Sequence, residues 1–316
     1  MTDPVEQALA LWDMAGAECH FIAGRENRVY QVRHGSEAYA LRFKRPGYRD
    51  LAELASELDW LAEMARAGLG VPAPRPSVNG RLLETVDGQV VDLITWLTGT
   101  PLGRSREPMT LADPVRTFSD LGAEMARLHL ACDEWKVPQG FTRCRWDAEG
   151  LLGKAPLWGR FWDSPMLDAP TRAMLRDFRQ QAARALAALD LDTGLIHADL
   201  VRENVLIDGT ALHLIDFDDG GYGYRLFDVA TALLKNRAEP NYPALRQALL
   251  DGYLGVRHLD MDQLDLFLAL RAATYVGWIV PRMDEPESTV RNTRFIKDAR
   301  DLCGAWLART TAYQGG

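Results

Sequence analysis

Hydrophobic positions along the chain change period several times, and each change predicts an element. Val5, Leu9 and Trp12 share one face of a short opening helix that Asp3 can cap and Pro4 can begin. Over residues 21–43 the pattern becomes strand-like, with runs at 29–32 and 38–43 flanking the turn formers His34, Gly35 and Ser36. Leu51, Leu54, Leu58, Leu61 and Met64 then recur at helical spacing, and Pro72, Pro74 and Pro76 block any continuation beyond Gly68 and Gly70. Two further strands, 81–86 and 89–96, are joined by Asp87-Gly88, a two-residue hairpin signal. Residues 98–103 read as a linker, so the first third is an antiparallel sheet with one inserted helix.

The remainder is mostly helical. Val115, Phe118, Leu121, Met125 and Leu128 form one apolar stripe, and later stripes cover 174–189, 226–234, 242–254, 264–280 and 295–307. One strand-rich island interrupts them. Short strands at 195–197, 205–207 and 212–215 are expected there, the last two joined by Asp208-Gly209.

Composition narrows the classes without choosing among them. A chain of 316 residues, 47% hydrophobic and 25% charged, can bury a core without disulfides or metal staples. The formal net charge of −8 argues against nucleic acid as a partner, because phosphate backbones are bound by clustered Lys and Arg. Cys19, Cys132, Cys144 and Cys303 form no Cys-x-x-Cys pair, which fits free thiols in a reducing compartment. The N-terminus lacks a basic region followed by an apolar run, and no apolar stretch reaches the roughly 18 residues of a membrane span. The expectation is a cytoplasmic protein with no membrane partner.

Polar residues gather at the edges of the island. An apolar strand stops at His197-Ala198-Asp199, Asn204 opens the next strand, and Asp216 closes the one after it. Three strand ends thus present Asp199, Asn204 and Asp216 together. Phosphoryl transfer needs such a set: one carboxylate to position the attacking hydroxyl and accept its proton, and hard oxygen ligands to hold Mg²⁺ against phosphates. The His-x-Asp, four residues, Asn spacing matches a kinase catalytic loop, with Asp216 where the metal-binding aspartate follows.

This stretch resembles the aminoglycoside phosphotransferase and choline kinase-like superfamily, whose loop commonly reads His-Gly-Asp-Leu-His-x-x-Asn. Phe227-Asp228-Val229-Ala230 is similar to the family's next signature, an Asp-Leu-Ala at a helix start. Ala198, Val201 and Val229 stand where the family usually has Gly, His and Leu. The resemblance implies an α+β, two-lobed, protein-kinase-like fold, with a nucleotide-binding lobe at 1–99 and a helical lobe carrying the catalytic loop and acceptor site at 100–316. It implies ATP and Mg²⁺ as cofactors, Asp199 as catalytic base, Asn204 and Asp216 as metal ligands, and His197 and Asp228 as structural support.

On the nucleotide side, Gly24 and Asn27 are similar to the family's phosphate loop. Arg42 stands at the strand lysine position, with Lys44 on the same strand face, and Arg42 is favoured as the phosphate contact. Glu57, beside the apolar stripe of its helix, is the expected partner of that cation. Thr95, Trp96 and Leu97 resemble the hinge whose backbone reads adenine. Acceptor candidates are Asp218, Asp219, Trp278 and Arg282, with Gly220-Gly221-Tyr222-Gly223 as a possible lid and Arg202 and Glu203 as further contacts or surface charges. The expected activity is transfer of the γ-phosphate to a hydroxyl of a small molecule, aminoglycoside-, homoserine- or choline-kinase-like. A Ser/Thr protein kinase of the same superfamily and a pseudokinase that regulates a partner are the alternatives.

Overall fold

Asp3 accepts a hydrogen bond from the Val5 N–H at 3.0 Å and Pro4 fills the first helical position, which starts α1 (Pro4–Ala10). The structure is a computed structural model and describes residues 3–24, 27–105 and 107–314, with side chains to 310. After α1 come β1 (Glu18–Ala23), β2 (Arg28–His34), β3 (Glu37–Phe43), α2 (Leu51–Arg66), β4 (Glu84–Val86), β5 (Gln89–Thr95) and the two-residue β6 (Thr100–Pro101). Then follow α3 (Pro114–Glu134), β7 (Arg145–Trp146), α4 (Ala148–Leu152), α5 (Ala169–Ala188), β8 (Thr193–Ile196), β9 (Val205–Asp208), β10 (Ala211–Leu214) and β11 (Gly221–Tyr224). α6 (Arg225–Leu234), α7 (Tyr242–Leu254), α8 (Leu264–Trp278) and α9 (Ser288–Gln314) complete the order.

The chain divides into two compact units. The first comprises Met1–Arg104, Leu130–Arg143 and Glu203–Asp218; the second comprises Ser105–His129, Cys144–Arg202 and Asp219–Gly316. The sequence suggested a single cut at residue 99, whereas the first unit also takes in two later segments.

The first unit is built on an antiparallel sheet of order β1-β2-β3-β5-β4. Asp87 and Gly88 both adopt positive φ, 48° and 78°, as a tight hairpin between twisted strands requires. Leu9, Trp12, Val32, Leu41, Phe43, Val91 and Leu93 form the core under this sheet. A capping box of Asp50 and Glu53 starts α2, whose buried face carries Leu54, Leu58, Leu61 and Met64, with Glu57 buried beside them. A smaller sheet of order β10-β9-β6 brings the later segment alongside. Gly99 allows this approach: at φ 120° a Cβ there would meet the Ile207 carbonyl oxygen at 2.7 Å.

The second unit is mostly helical around a small sheet of order β7-β11-β8. α6 is buried on every side and α8 nearly so, which marks them as core helices. β11 corrects an expectation. The glycine-rich stretch read as a possible lid is the middle strand of this sheet, antiparallel to β8 and parallel to β7. A Cβ on Gly223 would lie 2.6 Å from Ile196 Cδ1, so the glycines serve close packing. Among the described residues, no helix is long and apolar enough to cross a membrane.

Candidate active site

In the first unit, Asn27, Arg42, Thr95, Trp96, Leu97, Asn204, Asp216 and Asp218 line one cavity of about 380 Å³, with Ala40, Ile94, Leu206 and Ile215 among its apolar walls. That size is in the range of small-ligand pockets. Strands from two parts of the chain supply it: β3 and β5 from the large sheet, β9 and the segment after β10 from the small one. Asn204 and Asp216 are held in register because Ile215 N–H donates to the Asn204 carbonyl at 3.0 Å. Both offer oxygen donors to the same space, a set suited to a hard divalent cation. Gly24 lies next to the Phe21 ring, where a Cβ would approach to 2.9 Å. The expected phosphate loop also contains residues 25 and 26, which lie outside the described residues.

Arg42 faces this cavity from a buried ionic network. Its Nη1 lies 2.9 Å from Glu57, and its Nε and Nη2 donate to the two Asp92 oxygens at 2.7 and 3.0 Å. The pairing of Arg42 with Glu57 is the one the kinase pattern expects. Lys44 sits deeper, 3.3 Å from both Glu57 and Asp92 and 3.4 Å from Asp218, and is absent from the lining of this cavity. Arg143 joins at 3.8 Å from Glu57 and donates to the carbonyls of Phe217 and Asp218. Burial alone would push the Glu57 carboxyl up, but Lys44, Arg42 and Arg143 hold it far below the usual carboxylate range. Asp218, expected beside the acceptor, instead accepts from Asn27 and meets Lys44. Thr95 and Trp96 donate their N–H groups to the carbonyls of Ala73 and Ala38.

In the second unit, Asp228 braces the loop at the end of β8. Its carboxylate accepts the N–H of His197 at 2.8 Å and of Ala198 at 2.6 Å. Ala198 has φ +64°, which explains why glycine is the more usual residue here in the resembling family. His129 of α3 lies between Asp228, at 3.1 Å, and the Tyr253 hydroxyl, at 2.8 Å. Burial and the nearby Arg225 lower His129 to about 4 against the opposing pull of Asp228, so it is neutral at pH 7. Burial would raise the Asp228 carboxyl, yet the His129 hydrogen bond and the loop N–H groups hold it below the usual value. His197 is buried, and its Nδ1 accepts the Asp199 N–H at 3.3 Å.

The Asp199 carboxylate meets a cation from outside its own loop: Arg271 Nη2, on α8, lies 2.7 Å from Oδ1. Arg202, the cation within the loop, donates to Asn236, Glu239 and the Glu107 carbonyl and is buried. Beyond Arg271 stands an aromatic wall of Trp158, Tyr275, Trp278 and Phe295. Cations stack on it: Arg282 is 4.2 Å from the Trp278 ring centre and Lys235 Nζ is 3.8 Å from that of Tyr275. The two expected residues Trp278 and Arg282 are therefore in contact. The backbone carbonyl of Asp219 accepts from Trp146 Nε1 at 2.8 Å.

Comparison with known proteins follows the same lines. Residues 18–267 match the model of the phosphotransferase enzyme family. The chain belongs to this family. It is 28% identical to the homoserine kinase of Methylobacillus glycogenes over 246 residues, 76% of this chain and 71% of the relative. Against the homoserine kinase of Cupriavidus necator the identity is 30% over 244 residues, 72% and 68% of the two chains. A solved microcompartment-associated aminopropanol kinase superposes with a TM-score of 0.83 at 29% identity, covering 96% of this chain and 97% of that one. The α+β, kinase-like fold is thus established, and the phosphotransferase is an ATP-dependent kinase.

Residues that touch the predicted ones but were not read from the sequence include Asp92, His129, Arg143, Trp158 and Arg271. Two carried a signal. Asp92 is the lone charge in an apolar strand, and Arg271 is the lone charge in the middle of a helix that is apolar on all sides. Such residues are almost never buried unless paired.

Proposed function

We propose that the phosphotransferase moves the γ-phosphate of Mg²⁺-ATP to the hydroxyl of a small amino-bearing molecule, with Asp199 as the base. The observation that carries this reading is the convergence of Asn204, Asp216 and Arg42 on one cavity that residues 95–97, at and just beyond the end of β5, also line. Asn204 and Asp216 would hold the metal, which when bound offsets charge on the phosphates. Arg42 is the cation for the phosphates, and Glu57 and Asp92 fix its fork. Leu97 is assigned the N–H that meets the adenine edge, since those of Thr95 and Trp96 already donate within the protein. Asp199, five residues before Asn204, accepts the acceptor's hydroxyl proton as the new P–O bond forms and ADP leaves.

Homoserine carries a carboxylate and aminopropanol does not, and both names occur among the relatives. Two of the matched relatives are homoserine kinases, so L-homoserine is the first compound to try. The test is ADP release with Mg²⁺-ATP and, in turn, L-homoserine, 1-amino-2-propanol, choline, aminoglycosides and a Ser/Thr peptide. Stimulation by L-homoserine that Asp199→Asn lowers by at least about 100-fold is expected. Stimulation by the peptide alone would replace this reading with that of a protein kinase. An Asp199→Asn variant as fast as the parent would remove Asp199 from the chemistry.

A further inference from the structure

We propose that Arg271 is a positioning residue for Asp199, holding one carboxylate oxygen so that the other meets the acceptor hydroxyl; this rests on the reading of Asp199 as the base. Asp199 sits on a loop, and its backbone is fixed by the N–H to His197 Nδ1 and by Val201 N–H donating to its carbonyl at 2.8 Å. Those bonds leave the side-chain torsions to be set by what the carboxylate touches. Arg271 touches Oδ1 at 2.7 Å from a rigid core helix, not from the loop.

The arginine itself has little freedom. It is fully buried, its guanidinium carbon lies 4.3 Å from the Trp158 ring centre and 4.5 Å from that of Tyr275, and Nη2 also donates to the Tyr275 hydroxyl at 3.0 Å. Its Nε and Nη1 are buried without a hydrogen-bond partner among the described residues. A guanidinium enclosed by rings, with two N–H-bearing nitrogens unsatisfied, is a poor choice for stability alone, since an apolar residue of similar volume would serve a core helix as well or better. What the placement provides is a fixed positive charge at one oxygen of Asp199. The loop's own Arg202 cannot provide it, because its guanidinium is committed to Asn236, Glu239 and the Glu107 carbonyl.

A double-mutant cycle tests the assignment without knowledge of the natural acceptor. Turnover of Mg²⁺-ATP is measured with water as acceptor and with L-homoserine, for the parent, Arg271→Met, Asp199→Asn and the double variant. Arg271→Met should lower kcat by about 10- to 100-fold, the usual cost of losing an orienting partner, with KM for Mg²⁺-ATP within about threefold of the parent. Arg271→Lys should recover part of that loss. In the Asp199→Asn background the same change should cost less than about threefold, because residues that act as a unit are not additive. Equal losses in both backgrounds, or a parental kcat in Arg271→Met, would overturn the proposal while leaving Asp199 as base. A parental rate in Asp199→Asn alone would instead remove the underlying reading. Should Arg271→Met fail to fold, Arg271→Lys carries the test, and a parental kcat there, with the cation kept but the stacked fork lost, would count against positioning.

Discussion

Ala198 holds a left-handed backbone conformation between His197 and Asp199, with its N–H committed to Asp228. The strain of an L-residue there is about 1–2 kcal/mol. Glycine would relieve it, but would lose a buried methyl worth about 0.8 kcal/mol and regain about 0.4–1 kcal/mol of unfolded-state entropy. The terms nearly cancel, so Ala198→Gly should change stability by less than about 1 kcal/mol. Ala198→Val adds bulk and a branched Cβ to a buried left-handed site and should cost at least about 2 kcal/mol. Denaturant unfolding of the two variants checks the contrast. The spacing of Asp199, Asn204 and Asp216 could be read from the sequence because one loop and the 208–209 hairpin set it within 18 residues. Arg271 could not be, because its partner lies 72 positions away and no local pattern encodes that meeting.

At the level of elements, His129 of α3, Asp228 of α6 and Tyr253 of α7 tie three helices through one neutral imidazole. An unfolded histidine titrates near 6.5, whereas burial and Arg225 keep His129 near 4 in the folded protein. As pH falls below 6.5 the unfolded chain therefore binds a proton that the folded chain refuses, and stability drops by about 3 kcal/mol by pH 4. Glutamine at 129 can also bridge Asp228 and Tyr253 without titrating. Unfolding free energies at pH 7 and pH 4.5 should show a smaller loss for His129→Gln than for the parent. The longer helices and the hairpins at 87–88 and 208–209 were readable, since period and turn chemistry are local. β6, β7 and β11 were not. Two are two residues long, and the third is a glycine-rich strand whose partners, β7 and β8, come from elsewhere in the chain.

For the whole molecule, ligand and fold are linked through the first unit, whose cavity joins β3 and β5 to the 204–218 segment. A nucleotide bound there stabilises the folded chain by mass action, about 2.7 kcal/mol at a hundred times its Kd. With Asn204 and Asp216 as metal ligands, Mg²⁺-ATP should raise Tm clearly more than ATP with excess chelator. Asp216→Asn should shrink that difference. Equal shifts with and without metal would argue against an Asn204–Asp216 metal site.

The first unit is assembled from segments that are far apart in the chain. A ribosome makes the order of arrival matter. Arg42, Lys44, Glu57 and Asp92 emerge early, but Arg143 and Asp218, which complete three cations against three carboxylates, come much later. Until residue 218 has left the exit tunnel the network lacks the Asp218 carboxylate, and until residues 205–208 emerge β6 has no β9 to pair with. The cavity is therefore a late product of synthesis: Asp218 of its lining is joined only when about two-thirds of the chain has been made, and it reaches the tunnel exit later still.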